Sequence, residues 1–180
     1  MIIYIHGFNS LGGGEKFQKL KHLFPDIEMY SPSYDSADFD TIENLMDAIT
    51  PDDNMLFIGN SLGGYVAVYL ANKYNAKCIL LNPTTNPIKS LTPFIGQNIN
   101  FASNEAYDFT IENLNKLKKN EVLDLKELPV FVYVTLDDDL IDPYETIAYF
   151  KGLKKVNVLE KGGHRFSNIE DIKIDISKIY

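Results

Sequence analysis

The stretch Met55-Leu56-Phe57-Ile58-Gly59-Asn60-Ser61-Leu62-Gly63-Gly64 decides the fold. Its four leading apolar residues read as a strand buried on both faces, the form strands take in a parallel sheet. Gly59 ends that run. From Ser61 to Lys73 the chain is apolar around most of a helical circumference, which predicts a buried helix. Between strand and helix stands Gly59-x-Ser61-x-Gly63, the pattern of a nucleophile elbow. With 9 serines and 11 glycines the string would arise by chance about once in thirty chains of this composition, so its setting carries more weight than its letters. Such a turn lifts the serine oxygen clear of the sheet. It forces strained backbone angles and a close approach of helix to strand, and glycines on both flanks remove the side chains that would collide. The competing reading is a glycine-rich turn whose serine merely caps the next helix.

Outward from the elbow, short apolar runs alternate with helical patterns. Strands are predicted at Ile2 to Ile5, Ile27 to Tyr30, Lys77 to Leu81, Val130 to Val134 and Val156 to Leu159. Helices are predicted over Glu15 to Phe24, Asp40 to Ile49 and Tyr144 to Phe150, and over a tail whose stripe is Ile169, Ile172, Ile176 and Ile179. This alternation is that of an α/β protein with a mostly parallel sheet covered by helices on both faces. The 180 residues fit one domain, 1–180. One segment breaks the rhythm: from Pro83 to about Leu128 lie Pro87, Pro93, a polar stretch from Asn98 to Asn104 and a helical pattern near Thr110 to Lys119. It is too long for a simple connection, and a small cap or lid insertion is expected at about 84–128.

A serine hydroxyl is nearly inert at neutral pH and needs a base, with a third group to orient that base. In a strand–turn–helix setting the chain order should be Ser, acid, His. Of three histidines, His22 lies five residues past Phe17, about 140° around its helix and toward solvent. His6 precedes the serine and ends the first strand, where it would brace a loop. His164 remains, after the last strand in Glu160-Lys161-Gly162-Gly163-His164-Arg165-Phe166, with two glycines that let the loop turn over the sheet edge. The acid should follow Val130 to Val134, where the chain reads Thr135-Leu136-Asp137-Asp138-Asp139-Leu140-Ile141-Asp142-Pro143. A calcium loop starting at Asp137 fails, with Asp142 where Gly is needed and Ala148 where Glu is needed. Asp138 is the choice, since Leu140 and Ile141 would anchor the loop beneath it, and Asp139 is the close second. Two backbone donors complete such a site: the N–H of Leu62, behind the nucleophile, and the N–H of Phe8 in the loop His6-Gly7-Phe8-Asn9-Ser10.

Composition narrows the function classes. Lys plus Arg number 17 against 25 Asp plus Glu, a formal charge of −8, and the lone arginine is Arg165. Nucleic acid is an unsuitable partner for so anionic a chain. Neither Gly12-Gly13-Gly14 nor the glycines of the elbow precede Lys-Ser/Thr, so a phosphate cradle is not expected. The single Cys78 excludes an internal disulfide and a cysteine-based zinc cluster and suits a reducing compartment. No apolar run reaches the ~18 residues of a membrane span, and Met1 leads into Ile2 without a basic n-region, so the expectation is a cytoplasmic protein.

With His6-Gly7-Phe8-Asn9-Ser10, Gly59-Asn60-Ser61-Leu62-Gly63-Gly64, Leu81-Asn82-Pro83 and Gly162-Gly163-His164-Arg165-Phe166 in order, the chain resembles the small bacterial YqiA-like esterases of the α/β-hydrolase superfamily. The resemblance extends to stretches outside the generic motifs: Pro87, Leu91-Thr92, Gly96, Asp142 and Ala148-Tyr149-Phe150. It implies a compact α/β-hydrolase that hydrolyses short acyl esters, with acyl-CoA thioesters as the alternative substrates. Carried over by position, it implies Ser61 as nucleophile, Asp138 as acid and His164 as base. Two positions depart from the family pattern. Asp137 stands where glycine usually precedes the acid, and Gly163 where Asn or Asp often precedes the histidine, an exchange expected to loosen that loop. No cofactor or metal is called for, and the expected partner is a small acyl ester or thioester. Leu91, Phe94, Ile95 and Phe101 offer apolar surface for an acyl chain, and Lys116-Lys118-Lys119 is a basic cluster that would suit anionic CoA unless it is merely a solvated helix face. The rival from another class is a non-catalytic binding protein on the same fold.

Overall fold

The computed structural model of the protein describes residues 1–180 except 101–102, 126–127 and 154. A six-stranded sheet forms its centre. The strands are β1 (Ile2–Ile5), β2 (Met29–Tyr30), β3 (Leu56–Asn60), β4 (Lys77–Leu81), β7 (Val130–Thr135) and β8 (Val156–Leu159), in the order β2-β1-β3-β4-β7-β8. Every neighbouring pair is parallel. The chain leaves β1 toward β2 on one side and returns to β3 on the other. The order therefore reverses between β1 and β3, and the loops after these two strands diverge across one crevice at the C-terminal edge.

Side chains alternate between the two faces of each strand. Ile3, Ile5, Phe57, Cys78, Leu80, Val132 and Val134 point into one core, filled by Leu62, Val66, Ala67 and Leu70 of α2 (Leu62–Tyr74). Ile2, Tyr4, Leu56, Ile58, Ile79, Leu81 and Tyr133 point into the other. That second core is closed by Phe17 and Leu20 of α1 (Glu15–Leu23), by the 3₁₀ turn Ile169–Ile172 and by Ile176 of a C-terminal helix, Lys173–Ile179. The expected tail stripe packs here, with Ile169, Ile172 and Ile176 buried. Burial pushes the thiol of Cys78 up to about 12, so it is an inert core residue.

Three regions differ from the expectations. The span Asp40 to Ile49 is not an α-helix: a 3₁₀ helix covers Phe39–Asn44, and i→i+3 bonds continue through Asp47 and Ile49. Phe39, Ile42 and Leu45 recur every third residue, a spacing that a 3₁₀ turn aligns on one side as well as an α-helix does. The second strand shortens to Met29–Tyr30. Between β4 and β7, the polar stretch after Phe94 forms an antiparallel hairpin of β5 (Gly96–Ile99) and β6 (Ala106–Phe109). β5 is almost wholly exposed, and in β6 only Tyr107 and Phe109 turn inward, too short an alternation to mark a strand in the sequence.

The same connection carries α3 (Pro87–Leu91) and α4 (Ile111–Lys116), the latter opened by a capping box between Thr110 and Asn113. Leu91, Phe109, Leu114 and Leu117 are buried in the core that α2 fills. Lys116 pairs with Asp38 at 2.9 Å and with Asp40 at 2.7 Å, and Lys119 also pairs with Asp40. Lys116 and Lys119 of the basic cluster are thus held by carboxylates. The last helix of the main body before β8 is α5 (Pro143–Tyr149), tied to α3 by the pair Lys89–Glu145. Among the described residues no helix is long and apolar enough to cross a membrane.

Candidate active site

β3 ends at Asn60, and α2 begins at Leu62, so the whole reversal falls on Ser61. Its backbone sits at φ 57°, ψ −125°, a region a non-glycine side chain adopts only under constraint from its surroundings. The constraint is close packing. A Cβ on Gly59 would stand 2.0 Å from the carbonyl oxygen of Gly63, and one on Gly63 would stand 2.2 Å from that of Ile5. A Cβ on Gly64 would meet Pro83 at 2.7 Å. The glycines let α2 start directly against β1 and β4, which holds the serine out of the sheet.

His164 comes to Ser61 from the loop after β8. Its Nε2 lies 3.0 Å from the Ser61 Oγ, and its Nδ1 lies 3.0 Å from each carboxylate oxygen of Asp138. A carboxylate only accepts, so Nδ1 carries the proton and Nε2 is left to accept from the hydroxyl. The Asp138 side chain is 2% exposed, whereas Asp139 is exposed to solvent. The Asp138 Oδ1 also accepts the N–H groups of Leu140 and Ile141, both at 2.9 Å. The expected anchoring by an apolar pair is thereby corrected: Leu140 is 67% exposed, and it is the amides, not the side chains, that fix the acid. The structure brings together Ser61, His164 and Asp138 and leaves Asp139 outside.

The loop after β1 runs beside the elbow. A Cβ on Gly7 would lie 3.5 Å from the Cβ of Ser61. Leu62 opens α2, so its N–H precedes any carbonyl its own helix offers. Among the described residues neither the Leu62 nor the Phe8 N–H is paired with an acceptor in the protein. His6 braces this loop, as expected. Its ring stacks on Tyr34 at 4.3 Å, Nε2 accepts the Tyr34 N–H, and Nδ1 donates to the Gly7 carbonyl at 2.8 Å. Asn9 is held by Ser36 and by the Tyr107 hydroxyl of β6. The Gly12 and Gly13 N–H groups donate to Ser33 and Ser31, so both are satisfied within the protein.

Burial holds the pKa of His6 below its ordinary 6.5. The unfolded chain therefore takes up a proton that the folded protein resists. Stability contributed by neutral His6 is full above pH 6.5 and falls as pH drops toward the depressed value. Urea midpoints measured from pH 7.5 down to 5 should decline, and His6→Gln should flatten that decline.

Several residues that hold the site carried no role in the sequence reading. Asn82, wholly buried just past β4, donates to the Gly163 carbonyl at 2.8 Å and accepts the Thr135 N–H at 2.8 Å. Asn60 donates to the carbonyls of Leu81 and His164 at 2.8 and 3.3 Å. The Asp137 carboxylate accepts the N–H groups of Gly162 and Gly163 at 3.2 and 2.8 Å. The histidine loop is therefore hydrogen-bonded on several sides, contrary to the loosening expected from Gly163. The available signal was a polar residue at the end of an otherwise apolar, buried strand, which needs a partner. Of the expected acyl surface, Leu91 is only 4% exposed and unavailable, Phe94 and Ile95 are 40% and 42% exposed, and Phe101 lies outside the described residues. The Phe94 ring lies 5.4 Å from that of Phe8.

The parallel sheet, its reversal between β1 and β3 and the strained serine at the elbow define an α/β-hydrolase fold. Solved structures share it: a putative hydrolase from Agrobacterium vitis at TM-score 0.74 and 17% identity, covering 99% of this chain and 87% of that one. Est1E from Butyrivibrio proteoclasticus superposes at TM-score 0.69 with 14% identity over the same shares of the two chains. The chain belongs to the Uncharacterised protein family (UPF0227), whose model matches residues 1–179. A UPF0227 protein of Klebsiella pneumoniae is 25% identical over 176 residues, 94% of this chain and 92% of that protein. The UPF0227 protein YcfP of Escherichia coli is 24% identical over the same lengths. This is the kinship the YqiA-like resemblance anticipates.

Proposed function

We propose that the protein is a serine hydrolase that cleaves small acyl esters through an acyl-Ser61 intermediate. The observation that carries this reading is the continuous contact from Asp138 through His164 to Ser61, each step at 3.0 Å. His164 Nε2 takes the hydroxyl proton as the Ser61 oxygen bonds to the ester carbonyl carbon. The same nitrogen returns that proton to the leaving alcohol, and in the second half-reaction it takes a proton from the attacking water. Asp138 keeps the proton on Nδ1 and stabilises the imidazolium. The N–H groups of Leu62 and Phe8 receive the developing oxyanion, each contributing about 10²–10³ in rate.

The acyl group is assigned to the apolar face formed by Phe8 and Phe94, beside the oxyanion donors. The segment 84–128 acts as a cap on this side, anchored through Phe109, Leu114 and the Lys116–Asp38–Asp40 pairs. Because Asp38 and Asp40 neutralise Lys116 and Lys119, the basic cluster lends no support to a preference for CoA thioesters. A fluorophosphonate probe should label the wild-type protein once and leave Ser61→Ala unlabelled. Labelling that survives the substitution would remove Ser61 from the chemistry.

The two aspartates separate the same way. Asp138→Asn leaves an amide that donates to Nδ1 and favours the wrong tautomer, with an expected loss of about 10³–10⁴ in kcat. Asp139→Asn, on an exposed side chain, should stay within about twofold of wild type. The opposite order in a steady-state assay would place the acid one residue later.

A further inference from the structure

We propose that Asp137 is a positioning residue for His164, acting on the backbone of the two glycines that precede it while Asp138 acts on its ring. The proposal rests on the serine-hydrolase reading above. The loop that carries His164 turns at Gly162 and Gly163, with φ of 154° and 61°. Gly162 is glycine of necessity, because a Cβ there would lie 2.6 Å from the Thr135 side chain, whereas a Cβ on Gly163 would meet no described atom within 4 Å. Side-chain packing does not hold the second glycine, nor the imidazole through it.

Hydrogen bonds do. The Gly163 carbonyl is taken from within by Asn82 at 2.8 Å and Thr135 at 3.2 Å, both buried. The N–H of the same residue is taken from the solvent side by the Asp137 carboxylate at 2.8 Å, which also receives the Gly162 N–H at 3.2 Å. Gly163 is thus gripped through both of its backbone polar groups, one residue before His164. Asp137 supplies the only grip from an exposed side chain among these, and an ionised acceptor makes such bonds stronger than neutral ones. The Gly163 amide in turn holds the Asp137 carboxyl below the usual carboxylate range. Consecutive residues of one turn thereby fix consecutive parts of the histidine loop. A neighbouring carboxylate that touched nothing would do neither.

Removing the grip should misplace the base rather than weaken substrate binding, since an error of an ångström at a reacting group costs up to about 10²-fold. Asp137→Ala is expected to lower kcat about ten- to thirtyfold with KM within twofold of wild type and an unchanged melting temperature. Fluorophosphonate labelling of Ser61 should slow by the same factor. Asp137→Asn keeps one accepting oxygen, enough for the shorter bond from the Gly163 N–H, but sets an NH2 opposite the Gly162 N–H, and so should restore part of kcat. Unchanged kcat in Asp137→Ala, a rise in KM alone, or a loss that Asp137→Asn does not repair would each overturn the proposal while leaving the hydrolase reading intact. Failure of the wild-type protein to be labelled at Ser61 would overturn both, and the wild-type control distinguishes that outcome.

Discussion

Ser61→Ala is expected to fold as the wild type does and to lose at least about 10⁴-fold in ester turnover. The alanine methyl occupies space the serine Cβ already fills, and the φ of 57° is imposed by the surrounding glycines and Pro83 rather than by the hydroxyl. Stability should therefore change little. What disappears is the atom proposed to bond to the acyl carbon. Residual rate would come from the Leu62 and Phe8 N–H groups polarising a bound carbonyl toward water. His164→Ala should fall to a similar floor, and the double variant should be no worse than either single one, because the two side chains act as a unit. Additive losses would mean that they work separately.

The largest expected effect on stability belongs to Gly63→Ala. The new Cβ would lie 2.2 Å from the Ile5 carbonyl oxygen and 2.4 Å from that of His6, both backbone atoms that cannot step aside as a side chain would. α2 must retreat from β1, and with it the contacts of Leu62 and Val66 in the core. A loss of about 3 kcal/mol or more is expected, a fall in melting temperature of about 6–12 °C for a chain of this size. Gly152→Ala, whose new Cβ would meet no described atom within 4 Å, is the control and should be neutral. Equal melting temperatures for the two variants would contradict the seating of α2 described here. Molecules of the Gly63→Ala variant that do fold should also lose activity, because the Leu62 N–H moves with the helix.

What could be read from the sequence follows physical rules. The strands β1, β3, β4 and β7 are buried on both faces and so carry uninterrupted apolar runs, which made the parallel sheet legible. Ser61 was legible because its conformation demands glycines at fixed offsets. His164 and Asp138 were legible only through the order that the sheet imposes, since each is a single residue on a loop. The hairpin of β5 and β6 was not legible, because β5 buries nothing fully and β6 turns only Tyr107 and Phe109 inward, too few residues to show a strand period. The supporting shell escaped for a different reason. Asn60, Asn82 and Asp137 act through backbone groups up to 104 residues away in sequence, and a polar residue at the end of an apolar strand signals that it needs a partner without saying which distant group that partner is.

In the proposed reaction Ser61 becomes covalently acylated. Rapid acid quench of the wild-type protein during turnover of an activated short-chain ester, followed by peptide mass spectrometry, tests it most directly. One added acyl group is expected, confined to the peptide containing Ser61 and absent from Ser61→Ala. An acyl group on any other residue, or sustained Ser61-dependent turnover with hydrolysis in a single step and no acylated peptide even when deacylation is slowed, would contradict it.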